Sequence, residues 1–379
     1  MFSQKGIMRK ICLLIVVLMA LSMFASCAPA EKEEKKVVKI AVAAPMTGDH
    51  AEYGISYFES AKLMAAKWNE KGGAGGYTIE VVQYDDKSSG EEAATIAERL
   101  VEDMDVVGVI GSYTSGTIMA ATPTYQENGL CVISASASHP DYSKQGNYIF
   151  RNNTVISVEG ATSVECAEEN LMSKKIGILY IKTDWGAATN KIMQELIAKT
   201  SMELAKVEET IDGSDDYSTP IANFENAGCD TILVVGMHNT FVPFARQYRE
   251  INPDIQFVAF ANLYNQQVID LGGEAVEGTY FPVAYFNESD DPKVIEYRDA
   301  FIKAVGKSPS SLAAQAYDAA GIYCEAIAAV GNDRAAIRDY IAGISYEGVG
   351  GMIQFDEVGD AQKTFMKIVI RDGKFVLVD

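Results

Sequence analysis

Short runs of apolar and β-branched residues recur along this chain, and a segment with helical spacing follows each of them. The first four runs are residues 37–44, 78–84, 106–110 and 130–133. The run 106–110 has no polar alternation, which is typical of a parallel strand covered by helices on both faces. The resulting order of strands and helices predicts a parallel sheet with right-handed crossovers.

The same pattern starts again after the polar break Asn152-Asn153-Thr154. Further strands are predicted at residues 176–181, 203–211, 231–235, 256–260, 277–285, 352–355, 365–371 and 375–378, with helices at 292–305 and 312–330. A chain of 379 residues exceeds what one core usually organises. The fold class is therefore α/β, with two doubly wound parallel-sheet lobes. We expect lobe 1 to comprise residues 37–152 plus 286–346, and lobe 2 residues 153–285 plus 347–379. A chain that crosses repeatedly between two lobes predicts a multi-crossover hinge and a cleft.

The N-terminal segment reads as an export signal. Lys5, Arg9 and Lys10 precede an apolar run at residues 11–24, and small residues follow before Cys27. An uncleaved membrane helix is the alternative, but the run is shorter than the roughly 20 residues that cross a bilayer. Ala25-Ser26-Cys27 resembles the end of a bacterial lipobox. We therefore predict a signal peptide at residues 1–26, acylation of Cys27 and a solvated, lipidated tether at residues 27–36.

Composition and missing motifs exclude several classes of protein. The formal net charge of −20 argues against partners such as nucleic acid and anionic lipid surfaces. The sequence contains no P-loop, GxSxG, HExxH or strand-linked GxGxxG motif, and its cysteines lack metal-binding spacing. Asp85 and Asp86 could suggest a metal pair, but adjacent carboxylates at a strand end more often cap a turn. The sequence predicts no enzyme activity, no cofactor and no metal.

Hydroxyl residues gather at the ends of two successive predicted strands. Ser115 begins the helix after strand 106–110, and Ser136 and Ser138 follow strand 130–133. In doubly wound sheets, ligands lie outside the carboxyl ends of the strands, and helix N-termini there offer free N–H groups to anions. These residues therefore predict a carboxylate site. Alternatively, each hydroxyl only caps a helix or a turn.

Several motifs, in this order and spacing, resemble one family. They are VKIAVAAPMTGDHAEYG, KGG followed by YDD, GSYTSGT, SASAS, DWG and GGMIQFDEVGD. The mature chain is similar to the periplasmic type I solute-binding proteins of branched-chain amino-acid (Leu/Ile/Val-binding) ABC transporters. The resemblance implies that Ser115, Ser136 and Ser138 hold a ligand carboxylate, and that Tyr53 and Trp185 form an aromatic wall.

The chain departs from this family at two positions. The family's acidic partner for a ligand ammonium falls at Ala261, and a family tyrosine falls at Met237. Asp184 could supply the missing carboxylate, and His238 and Asn262 could make neutral contacts. An amine-free organic acid is therefore an alternative ligand to an amino acid.

The resemblance implies an extracytoplasmic, membrane-anchored lipoprotein at the cell surface or in the periplasm. It would close two lobes on a small carboxylate-bearing solute, such as a branched-chain or other apolar amino acid, and deliver it to an ABC transporter permease. A sensor or receptor domain of the same fold is an alternative, as is an α/β hydrolase or dehydrogenase, for which the motifs are missing.

Overall fold

The computed structural model describes residues 36–378. The predicted signal peptide, the acylation site Cys27 and most of the tether lie outside these residues, so they stay predictions. Two large sheets organise the described chain. The strands of the first sheet are β1 (Lys36–Ala44), β2 (Tyr77–Asp85), β3 (Val106–Gly111), β4 (Val132–Ser134) and β5 (Ile149–Arg151). Their order is β2-β1-β3-β4-β5, with β3 parallel to β1 and β4, and β4 parallel to β5.

The second sheet repeats this strand order. Its members are β6 (Lys175–Ile181), β7 (Glu203–Thr210), β8 (Thr231–Val235), β9 (Gln256–Val258), β10 (Tyr280–Val283), β13 (Met366–Arg371) and β14 (Lys374–Leu377). The order β7-β6-β8-β9-β10 is parallel throughout, whereas β13 and β14 add an antiparallel edge. A two-stranded antiparallel sheet pairs β11 (Ser345–Gly348) with β12 (Gly351–Gln354). The predicted parallel sheets are confirmed. The antiparallel pairing of β13 and β14 at the edge of the second sheet was not predicted.

Helices cover both faces of each large sheet. Their bounds are α1 (Ala51–Glu70), α2 (Gly90–Glu102), α3 (Ser115–Glu127), α4 (Ile156–Glu165), α5 (Asp184–Ile197), α6 (Ser218–Ala227), α7 (His238–Ile251), α8 (Gln266–Gly272), α9 (Pro292–Val305), α10 (Ser311–Val330) and α11 (Arg334–Ala342). Side chains of β1 alternate between two cores, since Ile40 and Val42 pack on the side of α1 and α10, while Ala41 and Ala43 pack on the side of α2 and α3. A strand buried on both faces needs this continuous apolar sequence.

Helix α10, which lies late in the chain, returns to the first sheet. The hydroxyl of Tyr323 accepts a hydrogen bond from the Val109 N–H and can donate to the main-chain oxygen of Cys131, at 2.9 Å. A side chain at Gly108 would meet the Tyr323 ring, because an added Cβ would lie 2.2 Å from it. Tyr323 therefore bridges two adjacent strands from a distant part of the sequence. The exact division of the chain between lobes stays a prediction.

Some predicted elements differ from the observed ones. Tyr53 and Gly54 lie in the first turn of α1 and not in a loop before it, and the short helix α11 and strand β11 were not predicted. Gly54 permits the early helix start, because a Cβ there would lie 1.9 Å from the Pro45 main-chain oxygen. Within residues 36–378, no helix is long and apolar enough to cross a membrane.

Candidate ligand-binding site

A cavity of about 500 Å³ lies where the carboxyl ends of the two sheets approach each other. Its lining comes from the segments that follow β1 to β5 in the first sheet and β6 to β9 in the second, together with Glu159 and Leu312. In both sheets the strand order reverses beside the central strand, which is where open α/β sheets bind ligands. Seven predicted site residues line the cavity: Ser115, Ser136, Ser138, Asp184, Trp185, Met237 and Asn262.

The N-terminus of α3 forms one polar end of the cavity. Thr114 caps this helix, with its hydroxyl accepting a hydrogen bond from the Thr117 N–H. The main-chain N–H groups of Ser115 and Gly116 have no partner among residues 36–378, and neither has the Ser115 hydroxyl. Unpaired helix N–H groups, together with the positive end of the helix dipole, favour an anion.

The other two predicted serines have different roles. The Ser136 hydroxyl lies 2.9 Å from the Ser112 main-chain oxygen and 2.7 Å from that of Tyr113, so its proton is used to hold the loop before α3. The Ser138 hydroxyl instead accepts a hydrogen bond from the Trp185 indole N–H at 2.8 Å. Ser138 therefore keeps its own proton for an acceptor in the cavity, whereas Ser136 positions the site.

Tyr113, and not Tyr53, is the tyrosine that faces the cavity. Tyr53 is 1% exposed and does not line it. Its ring stacks on Tyr113 at 4.0 Å between centroids, and its hydroxyl donates to the Asn262 main-chain oxygen. The Tyr113 hydroxyl donates to the sulfur of Met237, which belongs to the opposite wall. The predicted position of Tyr53 needs this correction because α1 starts early and buries the ring behind Tyr113.

His238 also lies outside the cavity lining. It occupies the first turn of α7, is buried, and has Gln267 as a neighbour at 3.4 Å. Burial lowers its pKa, since desolvation disfavours the charged ring. Asn262 does line the cavity, but its amide N–H donates to the Gly236 main-chain oxygen.

Glu159 on α4 is a cavity-lining carboxylate that the sequence analysis did not identify. It is 4% exposed, and its Oε1 accepts the Ala261 N–H at 2.6 Å. Burial raises its pKa to about 7, although the Ala261 N–H acts in the opposite direction. The only sequence signal would have been an acidic residue on the buried side of an otherwise apolar helix turn, next to Ile156.

Two further carboxylates line the cavity, in different surroundings. Asp184 is exposed at the start of α5. Asp212 accepts from the Thr240 hydroxyl at 2.6 Å and lies 3.7 Å from the His50 ring. Burial works against ionisation of Asp212, but the contacts with His50 and Thr240 outweigh it and lower its pKa. Among the residues that the structure describes, no lysine or arginine lines the cavity.

The Asp85-Asp86 pair has a structural role in the loops beside the cavity. Asp85 accepts the Met46 N–H at 2.8 Å and the Thr47 hydroxyl at 2.6 Å. Asp86 is buried and accepts from the Ser88 N–H and the Ser112 hydroxyl. Both carboxylates thus fix turns. Among residues 36–378, no group of three or more potential metal ligands is assembled.

Comparisons with known proteins agree with this architecture. A family model described as periplasmic binding protein matches residues 37–370. The leucine-, isoleucine-, valine-, threonine- and alanine-binding protein of Pseudomonas aeruginosa is 28% identical over 347 residues, which cover 90% of this chain and 91% of that protein. The Leu/Ile/Val-binding protein of Escherichia coli is 26% identical, over 85% of this chain and 88% of its own length.

Solved structures match over the same extent. The branched-chain amino acid transporter substrate binding protein LivJ from Streptococcus pneumoniae, in complex with isoleucine, has a TM-score of 0.84 at 27% identity, covering 90% of this chain and 99% of that one. A solute-binding protein from R. palustris in complex with benzoate has a TM-score of 0.82 at 20% identity, covering 90% of this chain and 95% of that one, which indicates the shared fold. The predicted type I periplasmic binding protein fold is confirmed.

Proposed function

Because the chain belongs to the periplasmic binding protein family, we propose that it is the substrate-binding protein of an ABC importer. It closes two lobes on a small carboxylate-bearing solute, a branched-chain or other apolar amino acid, and presents it to the permease. The names of the relatives, which refer to leucine, isoleucine and valine, support this solute class. The protein performs no covalent chemistry in this role.

The observation that carries the proposal is the anion site at the start of α3, which faces an apolar wall. Ser115 and Ser138 supply hydroxyl donors, and two main-chain N–H groups point to the same helix end. The opposite wall includes Ile181, Met237 and Phe260. A carboxylate with an aliphatic side chain matches these two surfaces.

Closure needs only a difference in affinity between the open and closed forms. Trp185 donates to Ser138, and Tyr113 donates to Met237, so each contact joins a loop of the first sheet to one of the second. A solute that touches both walls adds contacts of its own, and it makes the full set only in the closed form. Its higher affinity for the closed form therefore shifts the equilibrium from open to closed protein.

An extracytoplasmic location and a lipid anchor at Cys27 are part of the proposal. They are supported by the export signal and by the resemblance of residues 25–27 to a lipobox. A Cys27→Ser variant should leave the membrane fraction, and an unchanged distribution would remove the anchor from the proposal.

A binder of amine-free organic acids is the second candidate function. Ala261 favours it, because this position lacks the acid that the family resemblance places opposite a ligand ammonium. The benzoate complex is consistent with the fold accepting such ligands, but its 20% identity carries no assignment to this chain.

Replacing Ser115 with alanine should weaken binding of the solute about 10- to 150-fold. The loss corresponds to one hydrogen bond to a charged group, about 1.5–3 kcal/mol. Calorimetry with leucine, isoleucine, valine, phenylalanine and their des-amino acids measures it, and Ser138→Ala should behave similarly.

Ser218→Ala is the matched control for this experiment. Ser218 also begins a helix, α6, but it is exposed and does not line the cavity. Equal affinities for wild type and Ser115→Ala would remove the Ser115 hydroxyl from ligand binding and contradict the proposed carboxylate site.

A further inference from the structure

We infer that Glu159 is the counter-charge for a ligand ammonium group, so that the solute is an α-amino acid and not an amine-free acid. The inference rests on the function proposed above, because it assigns the solute class of the same cavity. It gives α4 a role in recognition that the family resemblance did not place there.

The surroundings of Glu159 leave part of its carboxylate available. Oε1 accepts the Ala261 N–H at 2.6 Å, while no residue among 36–378 donates a hydrogen bond to Oε2. Glu159 and Ala261 both line the cavity. A buried carboxylate with one neutral donor and no cation is costly, and a cationic group in the cavity would offset this cost.

The position of Glu159 compensates for the small side chain at Ala261. The family resemblance places an acid at position 261, which follows β9, whereas in this chain the Glu159 carboxylate reaches the main chain of Ala261 from helix α4. The negative charge is therefore delivered to the same part of the cavity from a different element.

Helix α4 also connects the acid to the anion site. The N–H of Ile156, the first residue of α4, donates to the Ser138 main-chain oxygen at 3.0 Å. Glu159 follows three residues later, which is about 4.5 Å along the helix axis. An α-amino acid carries its ammonium and carboxylate on one carbon, so a cavity that binds it must hold the two complementary groups close together.

The other carboxylates of the cavity are less suited to this role. Asp184 is exposed, so water screens its charge. Asp212 already accepts from Thr240 and lies beside His50. Among the carboxylates that line the cavity, Glu159 is the one that combines burial with the absence of any cationic neighbour.

The inference is tested by calorimetry on wild type and on Glu159→Gln. The twenty common L-amino acids and their des-amino acids are screened first, with leucine and 4-methylpentanoic acid as the reference pair. Glu159→Gln should weaken binding of the best amino acid about 30-fold or more, because its ammonium loses a buried charged partner. It should change binding of the des-amino analogue by no more than about threefold, which a merely structural role would not produce.

Three further variants sharpen the comparison. Glu165→Gln is the matched control, since Glu165 lies on the same helix but is exposed and pairs with Lys367. Glu159→Asp keeps the charge and should retain more amino-acid affinity than Glu159→Gln. Asp184→Asn tests whether Asp184, and not Glu159, is the partner of the ligand ammonium. Thermal unfolding of each variant confirms that it is folded.

The outcomes separate the inference from the proposed function. Equal weakening of the amino acid and its des-amino analogue, or loss in Asp184→Asn alone, would overturn the role of Glu159 while the solute-binding function stands. The same holds if wild type binds amine-free acids but no amino acid. Wild type that binds none of these compounds would overturn both.

Discussion

Replacing Asp360 with alanine is expected to lower the free energy of unfolding by about 3–5 kcal/mol, because it leaves a buried guanidinium without its counter-ion. Arg151 is 0% exposed, and its Nε lies 2.5 Å from the Asp360 carboxylate. It also donates to the His139 main-chain oxygen at 2.9 Å. Arg151 ends β5, and its main-chain N–H donates to Gly359, so the pair ties the first sheet to the segment that leads into β13. Urea unfolding monitored by circular dichroism measures the loss.

Glu357→Ala is the control for Asp360→Ala. Glu357 lies in the same turn and is exposed, so its removal should change stability by no more than about 0.5 kcal/mol. The double variant Arg151→Met/Asp360→Leu should recover part of the loss, because it removes both charges together. A loss below 1 kcal/mol in Asp360→Ala would contradict the assignment of this pair as a buried, stabilising contact.

The ligand-free Glu159→Gln variant should become more stable than wild type as the pH rises. The pKa of Glu159 is raised to about 7 in the folded protein, from its usual 4.5. Such a group favours the folded state below pH 4.5, and this contribution is lost as the pH rises through 7. The difference in free energy of unfolding should therefore grow by roughly 2–3 kcal/mol between pH 5 and pH 8.

Urea unfolding at pH 5, 6, 7 and 8 measures this difference. His50, Asp184 and Asp212 also line the cavity and are present in both proteins, so their contributions largely cancel in the comparison. Glu165→Gln removes an exposed acid from the same helix, so its free energy of unfolding should change with pH in the same way as that of wild type. Parallel curves for Glu159→Gln and wild type would contradict the account of Glu159 as a buried carboxylate without a cation.

The strands of both sheets were predictable because strands that are buried on both faces consist of short, continuous apolar runs in the sequence. Residues 232–235, for example, are all apolar and buried, which is typical of a strand covered on both faces. The antiparallel edge formed by β13 and β14 was less predictable, since pairing direction depends on how the chain returns and not on local composition. The short helix α11 was missed because it buries only Ile337 and Ile341.

The candidate site was predictable where hydroxyl residues follow the carboxyl end of a strand or begin a helix, because ligands usually bind at such places. Ser115 and Ser138 follow from helix N-termini and strand ends. Tyr113 was missed although it lies within GSYTSGT, because which of two stacked tyrosines faces the cavity depends on the packing of α1. Glu159 was missed because it lies 102 residues from Ala261 in the sequence, and only the folded chain brings the two residues into contact.

The central claim, that the cavity holds a solute through its carboxylate, is tested most directly by a thermal-shift screen of paired ligands. Each L-amino acid and small organic acid is measured beside its carboxamide, which has the same shape but no negative charge. Ligand that binds the folded state alone raises the unfolding temperature in proportion to RT ln(1 + [L]/Kd). We expect a clear rise in unfolding temperature for at least one acid and little or none for its carboxamide. Equal shifts for an acid and its carboxamide, or no shift for any acid, would contradict the central claim.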